Sequence, residues 1–199
     1  LHPSPRTVAI IGVAPAGTAR ELLRHGVVRV DWVMQDGLLL ATLRGEYPDL
    51  SLPGVHLIAA DPRRHLADNP GAYDAVLLSS QAPTSAQQNR TFTAEFFEAA
   101  NAALREGGVL AVALPGHAAF ASEETRRLHS SIRRALEAAA GTVRVFPLEQ
   151  VFYVAAKGRA LPAPLRTDPR IAEWGLAVRI PALGDEIPGQ TVLVHLTHR

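Results

Sequence analysis

The chain contains no cysteine, and aromatic residues make up only 6% of its 199 residues. The absence of cysteine excludes disulfides, thiolate metal ligands and a cysteine nucleophile. A strong charge of one sign is also missing, because 20 Lys and Arg against 19 Asp and Glu give a formal net charge of +1. A nearly neutral chain is a poor match for an extended phosphate-binding surface, so we expect no nucleic-acid partner.

Long hydrophobic runs are missing as well, since the apolar run at residues 109–114 is far shorter than the roughly 20 residues that span a bilayer as a helix. We therefore expect no membrane contact by this chain itself and predict a cytoplasmic location. The sequence starts at Leu1 and lacks the order of a signal peptide, which is consistent with the soluble part of a longer, membrane-associated protein. The hydrophobic content of 47% is typical of a folded globular domain.

Short apolar strands alternate with helices along most of the chain. Strands are predicted at residues 7–11, 27–34, 55–60, 75–78 and 109–114, and helices at 18–25, 38–43, 93–106 and 122–139, with a turn at 64–66 and with Gly107-Gly108 ending the third helix. This alternation predicts βαβ crossovers and a mostly parallel sheet that is covered on both faces. Residues 143–146 and 151–155 are joined too closely for a crossover helix, so they are predicted to pair antiparallel. The predicted fold class is a doubly wound α/β domain of the adenosylmethionine-dependent methyltransferase type.

The composition changes after Gly158, where Leu161-Pro162-Ala163-Pro164 has the character of a linker. We predict a Rossmann-like domain over residues 1–158 and a small C-terminal appendage over residues 159–199.

Ligands of doubly wound sheets bind at the carboxyl ends of the strands, near the point where strand order reverses. The turn from Gly12 to Gly17 follows the first strand and opens a helix, which is the setting of a nucleotide-binding loop. A plain strand-to-helix turn stays an alternative because Val13 adds bulk. Asp36 is suited to accept hydrogen bonds from a ribose or to cap a helix, and Asp61 to accept from an adenine amine or to form a turn.

Other catalytic patterns are weak. The eight histidines are scattered without the spacing of metal ligands, so no metal site is predicted. Ser79 and Ser80 lack a Gly-x-Ser-x-Gly elbow, which disfavours a hydrolase nucleophile.

A series of short segments carries a family resemblance. The main ones are Val8-Ala9-Ile10-Ile11-Gly12, Asp61-Pro62-Arg63, Tyr73-Asp74-Ala75-Val76-Leu77-Leu78, Phe92-Thr93-Ala94-Glu95-Phe96-Phe97 and Leu104-Arg105-Glu106-Gly107-Gly108. In this order they resemble the spermidine synthases, the polyamine aminopropyltransferases, and most of all the bacterial relatives fused to membrane segments.

The resemblance implies a nucleoside ligand: adenosylmethionine, its decarboxylated form or methylthioadenosine. The positions that it assigns to this ligand are Gly12, Ala14, Gly17, Asp36, Asp61 and Ser79. The family carries Gly-Gly-Gly-Asp-Gly-Gly at residues 12–17 and a ribose-binding glutamate at the position of Met34, so this chain departs from the family pattern at both places. A homodimer remains an open alternative.

The family's catalytic Asp-x-x-Asp-Pro coincides with Ser79-Ser80-Gln81-Ala82-Pro83, so Ser79 and Ala82 occupy the two catalytic positions. In the family these acids hold the amine acceptor and help to deprotonate it, and the loss of a positioned base lowers a rate about 10²–10⁴-fold. We therefore expect a spermidine synthase-like domain with a degenerate site and a non-catalytic or regulatory role. Two alternatives stay open. One is an active aminopropyl or methyl transferase with Ser79, Gln81 or Asn89 lining its acceptor site, and the other is an interaction scaffold without a nucleoside.

Overall fold

One sheet runs through the computed structural model, which describes residues 2, 4–15, 17–79, 89–115, 123–147 and 150–161. The strands in these ranges are β1 Thr7–Gly12, β2 Arg29–Met34, β3 Val55–Ala59, β4 Tyr73–Ser79, β5 Leu104–Pro115, β6 Val143–Pro147 and β7 Gln150–Ala156. The helices are α1 Thr18–Arg24, α2 Gly37–Glu46, α3 Pro62–Ala67, α4 Ala94–Ala103 and α5 Glu123–Ala140, with short 3-10 turns at Pro48–Ser51 and Arg90–Phe92.

The strand order is β3-β2-β1-β4-β5-β7-β6. The strands from β3 to β5 in this order pair parallel with one another, and β7 pairs antiparallel to both β5 and β6. The order reverses between β1 and β4, which is where a doubly wound sheet opens a crevice for a ligand. The predicted α/β class, parallel sheet and closing hairpin are confirmed.

The core lies on both faces of the sheet, as expected for parallel strands joined by crossover helices. Along β1, Ala9 and Ile11 face the larger cluster, which contains buried residues of α3, α4 and α5. Val8 and Ile10 face the other cluster, with Ala19 of α1 and Leu40 of α2. All four β1 side chains are at most 1% exposed, so this strand is fixed between two layers of helices.

Two local predictions were wrong. Residues 64–66 belong to helix α3, because the Asp61 side chain accepts a hydrogen bond from the Arg64 amide and Pro62 occupies the first turn, where its missing N–H is not needed. Gly107 does not end α4, which stops at Ala103. The next residue, Leu104, is extended and pairs with Tyr73 of β4.

The predicted C-terminal appendage lies outside the described residues from position 162 onward. Among the residues that the structure does describe, no helix combines the length and the apolar character needed to cross a bilayer.

A buried polar chain links the amino-terminal half of the sheet to α3. Asp31 is 2% exposed and accepts hydrogen bonds from Arg29 Nε and from the Tyr73 hydroxyl, both at 2.9 Å. His65 Nε2 lies 2.7 Å from the same hydroxyl. Since that hydroxyl has one proton and donates it to Asp31, His65 acts as the donor in this chain. Burial raises the pKa of Tyr73 and lowers the pKa of His65, so burial favours the neutral form of both groups.

Asp74 fixes the start of β1. Its Oδ2 accepts hydrogen bonds from the amides of Arg6 and Thr7, each at 2.8 Å, and its Oδ1 accepts from Arg105 at 3.0 Å. Burial acts to raise the pKa of Asp74, but the hydrogen bonds from Thr7, Arg6 and Arg105 together hold the pKa below its usual value.

We expect Asp74→Asn to lower the free energy of unfolding by roughly 2–3 kcal/mol at pH 7, because an amide N–H would face one of these three donors. Since the folded-state pKa lies below the unfolded value of about 4, the carboxylate's contribution is complete above pH 4 and is lost as the pH falls through the folded pKa. The deficit of the variant should therefore shrink between pH 7 and pH 3.

Urea denaturation at both pH values measures this, with Asp68→Asn as the control. The Asp68 side chain is 67% exposed and 3.7 Å from Arg64, so its replacement should change stability by less than about 1 kcal/mol. A deficit for Asp74→Asn that is equal at pH 7 and pH 3 would contradict the assigned role of the carboxylate.

Candidate functional site

A cavity of about 620 Å³ opens at the carboxyl ends of β1 to β4, beside the point where the strand order reverses. This volume lies within the range of about 300–1,000 Å³ that is typical of small-molecule sites. The cavity is lined by Ile11, Gly12, Met34, Gln35, Asp36, Asp61, Pro62, Arg63, Leu78, Arg90, Thr91, Thr93, Glu95 and Phe96.

The loop after β1 forms one wall of this cavity. Gly12 has a φ of 89°, which only glycine adopts without strain, and it lines the cavity. The Trp32 indole N–H donates to the Gly12 carbonyl at 2.8 Å and holds this turn against β2. Gly17 precedes α1 with a φ of 87°, and Ala14 packs on the core cluster that contains α1. Of the three predicted loop positions, only Gly12 lines the cavity.

Asp36 lies at the end of β2, where the sequence predicts a ribose acceptor or a helix cap. Its Oδ1 accepts a hydrogen bond from the Leu39 amide at 2.9 Å, so it is the N-cap of α2. Asp36 also lines the cavity. A carboxylate has about four acceptor positions, and the cap uses one of them. The geometry is thus compatible with both roles at once.

Asp61, just after β3, likewise caps a helix and lines the cavity. Its Oδ1 accepts from the Arg64 amide at 3.1 Å and caps α3, and its Oδ2 accepts from the Arg90 guanidinium at 3.2 Å. The Asp61 side chain is 30% exposed and that of Arg90 is 63% exposed. Arg90 was not among the residues predicted for the site.

Ser79 ends β4 next to the Gly12 position of β1. Its hydroxyl donates to the Val13 carbonyl at 3.1 Å and ties the end of β4 to the loop after β1. Ser79 therefore stabilises the point where the strand order reverses, and it is not one of the residues that line the cavity. Ala82, the second predicted catalytic position, lies outside the described residues together with Ser80 and Gln81.

The start of α4 adds two residues that the sequence analysis treated only as a helix start. Thr93 is the N-cap and accepts from the Phe96 amide at 3.3 Å. Hydrogen bonds from the amide of Glu95 itself and from the Thr93 hydroxyl lower the pKa of Glu95, and the charge of Arg63 adds to this effect. A helix that follows a strand in a βαβ unit begins at the carboxyl edge of the sheet, and this rule would have placed both residues at the site.

The lining of the cavity mixes both signs of charge, with three carboxylates, Asp36, Asp61 and Glu95, and two guanidinium groups, Arg63 and Arg90. Within the described part of the chain, no group of three or more histidine and acidic side chains comes together as metal ligands would. The arrangement offers hydrogen-bond acceptors and donors around a partly apolar cleft, which suits an uncharged or weakly charged polar ligand.

The strand order, the hairpin and the cleft at the switch point define the class of the domain as an adenosylmethionine-type Rossmann fold. The model of the spermine/spermidine synthase domain matches residues 1–163. The chain belongs to this family.

Individual relatives agree with the family. The polyamine aminopropyltransferase of Thermotoga maritima is 32% identical over 114 residues, which cover 55% of this chain and 38% of that protein. The spermidine synthase of Solanum lycopersicum is 34% identical over 114 residues, covering 54% of this chain and 33% of that protein. The matched region thus spans between 33% and 38% of these relatives' length.

Solved structures show the same fold. A spermidine synthase in complex with the transition-state analogue AdoDATO superposes with a TM-score of 0.66 and 25% identity, over 79% of this chain and 56% of that one. A 16S rRNA methyltransferase of T. thermophilus superposes with a TM-score of 0.52 at 20% identity, over 83% of this chain and 38% of that one. The second likeness concerns the fold alone.

Substitutions of Asp36 can distinguish its capping role from a role in ligand binding. We expect Asp36→Ala to lower the free energy of unfolding by about 1 kcal/mol, whereas Asp36→Asn should leave it nearly unchanged because asparagine caps a helix equally well. Urea denaturation of the two variants measures the difference. Equal stabilities of the Ala and Asn variants would show that the Leu39 amide does not depend on this cap.

Proposed function

We propose that this chain is a nucleoside-binding, non-catalytic member of its family, in which an adenosyl nucleoside occupies the cavity and no aminopropyl group is transferred. The observation that carries the proposal is the hydrogen bond from Ser79 to the Val13 carbonyl. The family resemblance assigns this position to a catalytic carboxylate. In this chain it holds a hydroxyl that is engaged with the backbone.

The chemistry of the transfer explains why this replacement matters. A primary amine acceptor has a pKa near that of a lysine side chain, about 10.4, so it is protonated at neutral pH and its nitrogen has no lone pair for attack. A positioned carboxylate removes that proton and also attracts the cation. A serine hydroxyl does neither near neutral pH, and Ala82 has no polar side-chain atom.

The nucleoside half of the site has a better fit. The cavity is large enough for a nucleoside, and Asp36 and Asp61 border it at the ends of neighbouring strands β2 and β3. The resemblance assigns the adenine amine to Asp61 and the ribose hydroxyls to the position of Met34, two residues before Asp36, and carboxylate oxygens are suitable acceptors for both. Adenosylmethionine, its decarboxylated form and methylthioadenosine share this adenosyl part.

Loss of the acids with retention of the cavity favours a regulatory role, in which the bound nucleoside stabilises one state of the domain. An active transferase is the second candidate, and the retained cavity is the observation in its favour. The two differ in one result: turnover of the nucleoside in the presence of an amine.

We expect methylthioadenosine at 100 times its dissociation constant to add about 2.7 kcal/mol to the free energy of unfolding. Thermal unfolding with and without the nucleoside measures this. Asp61→Asn should reduce the shift because it replaces a carboxylate at the cavity while asparagine retains the cap on α3. The exposed substitution Asp68→Asn should leave the shift unchanged. No shift at millimolar concentration with any of the three nucleosides would overturn the binding half of the proposal.

The transfer half is tested with decarboxylated adenosylmethionine and putrescine, with an active spermidine synthase as the positive control. We expect a rate at least about 10²-fold below that of the control, the smaller of the effects typical for loss of a positioned base. Formation of methylthioadenosine at a rate comparable to the control would instead establish the active transferase.

A further inference from the structure

Arg90 and Asp61 form an ion pair on the wall of the cavity, and neither the fold nor the capping of α3 requires it. The guanidinium nitrogen lies 3.2 Å from Asp61 Oδ2, and both residues line the cavity. The Arg90 side chain is 63% exposed, and an ion pair this exposed to water adds little to stability. Its place in the cavity therefore points to a role toward the ligand.

Both partners are held in place by the backbone around them. Arg90 begins the 3-10 turn Arg90–Phe92, whose last residue, Phe92, is 5% exposed and belongs to the larger core cluster. The following Thr93 caps α4. Asp61 is fixed from the other side, because the Arg64 amide holds its Oδ1. The pair thus presents an anchored carboxylate next to a guanidinium whose backbone is fixed by the turn.

An adjacent acceptor and donor recognise a ligand edge with the complementary order. The guanidinium has five N–H donors, and the contact with Asp61 uses one of them. On adenine, the exocyclic amino group is a donor and the neighbouring ring nitrogen N1 is an acceptor. A carboxylate that accepts from the amine and a guanidinium that donates to N1 would read these two atoms together. Hypoxanthine, with a carbonyl and a ring N–H at the same atoms, has the opposite order.

We propose that Arg90 is a specificity-determining residue that donates to the N1 ring nitrogen of an adenine nucleoside, beside the amine that Asp61 accepts. This inference rests on the proposed nucleoside binding and deepens it, because it assigns a second base-reading side chain. Arg90 thereby makes the site selective for an aminopurine over an oxopurine.

Arg63 provides a matched comparison within the same site. It is also an arginine and also lines the cavity, but its charge acts on Glu95 rather than through a hydrogen bond to Asp61. Arg63→Met removes the same charge and the same donors as Arg90→Met. Any effect that both variants share is therefore an effect of net charge, and an effect confined to Arg90→Met belongs to the ion pair.

The test uses calorimetric titration with methylthioadenosine, its 1-deaza analogue, in which C–H replaces N1, and methylthioinosine. We expect the unmodified protein to bind the 1-deaza analogue about 10-fold more weakly than methylthioadenosine, as typical for a lost hydrogen bond to a charged donor. Arg90→Met should bind both with equal affinity, and Arg63→Met should retain the 10-fold ratio. Methylthioinosine should bind the unmodified protein more weakly than methylthioadenosine.

The outcomes separate this inference from the proposed function. If the unmodified protein binds none of the three compounds, the proposed function and this inference both fail. If it binds methylthioadenosine but the ratio for the 1-deaza analogue is the same in the unmodified protein and Arg90→Met, only the role of Arg90 is overturned. Tighter binding of methylthioadenosine by Arg90→Met would also overturn it, because the guanidinium would then be an obstacle. Thermal unfolding of Arg90→Met without ligand verifies its fold.

Discussion

The burial of β1 on both faces is the constraint on which the rest of the structure depends. Its central side chains are at most 1% exposed and alternate between the two core clusters, while β2 and β4 hydrogen-bond to its two edges. Because β1 cannot shift without disturbing both layers, the ends of β2 and β4 are fixed relative to it. The cleft opens where these strands end, so its walls are set by the core.

The two sides of the candidate site differ in charge. On the β2 and β3 side, Asp36 and Asp61 present carboxylate oxygens to an open cavity of nucleoside size. On the β4 side, the Ser79 hydroxyl donates a hydrogen bond to the Val13 carbonyl, and this side chain is uncharged. The family resemblance assigns a catalytic carboxylate to position 79. Glu95 at the start of α4 also lines the cavity, but position 79 itself has a serine, which is the basis for the non-catalytic proposal.

The fold was predictable from the sequence because the strands are short apolar runs separated by helices, and the closing hairpin follows from the short link between β6 and β7. Asp36 and Asp61 line the same cleft because the carboxyl ends of parallel strands share an edge, whereas their roles toward a ligand stay predictions. Arg90 was not predictable, because its side chain meets Asp61 across 29 positions of sequence. The sequence also did not show that each aspartate both caps a helix and lines the cavity, because this depends on the hydrogen bonds seen in the structure.

The capping bonds of Asp36 and Asp61 have a consequence for how such a chain changes over evolutionary time. A mutation of either residue to one that cannot cap a helix would lower the stability of the domain even in a protein that binds nothing. Selection for folding alone would therefore keep a capping residue, such as Asp or Asn, at both positions after a ligand had been lost. In a comparison of many sequences, these two positions would resemble a maintained binding site. Position 79 does not cap a helix, so its residue type would be the better indicator of whether activity is retained.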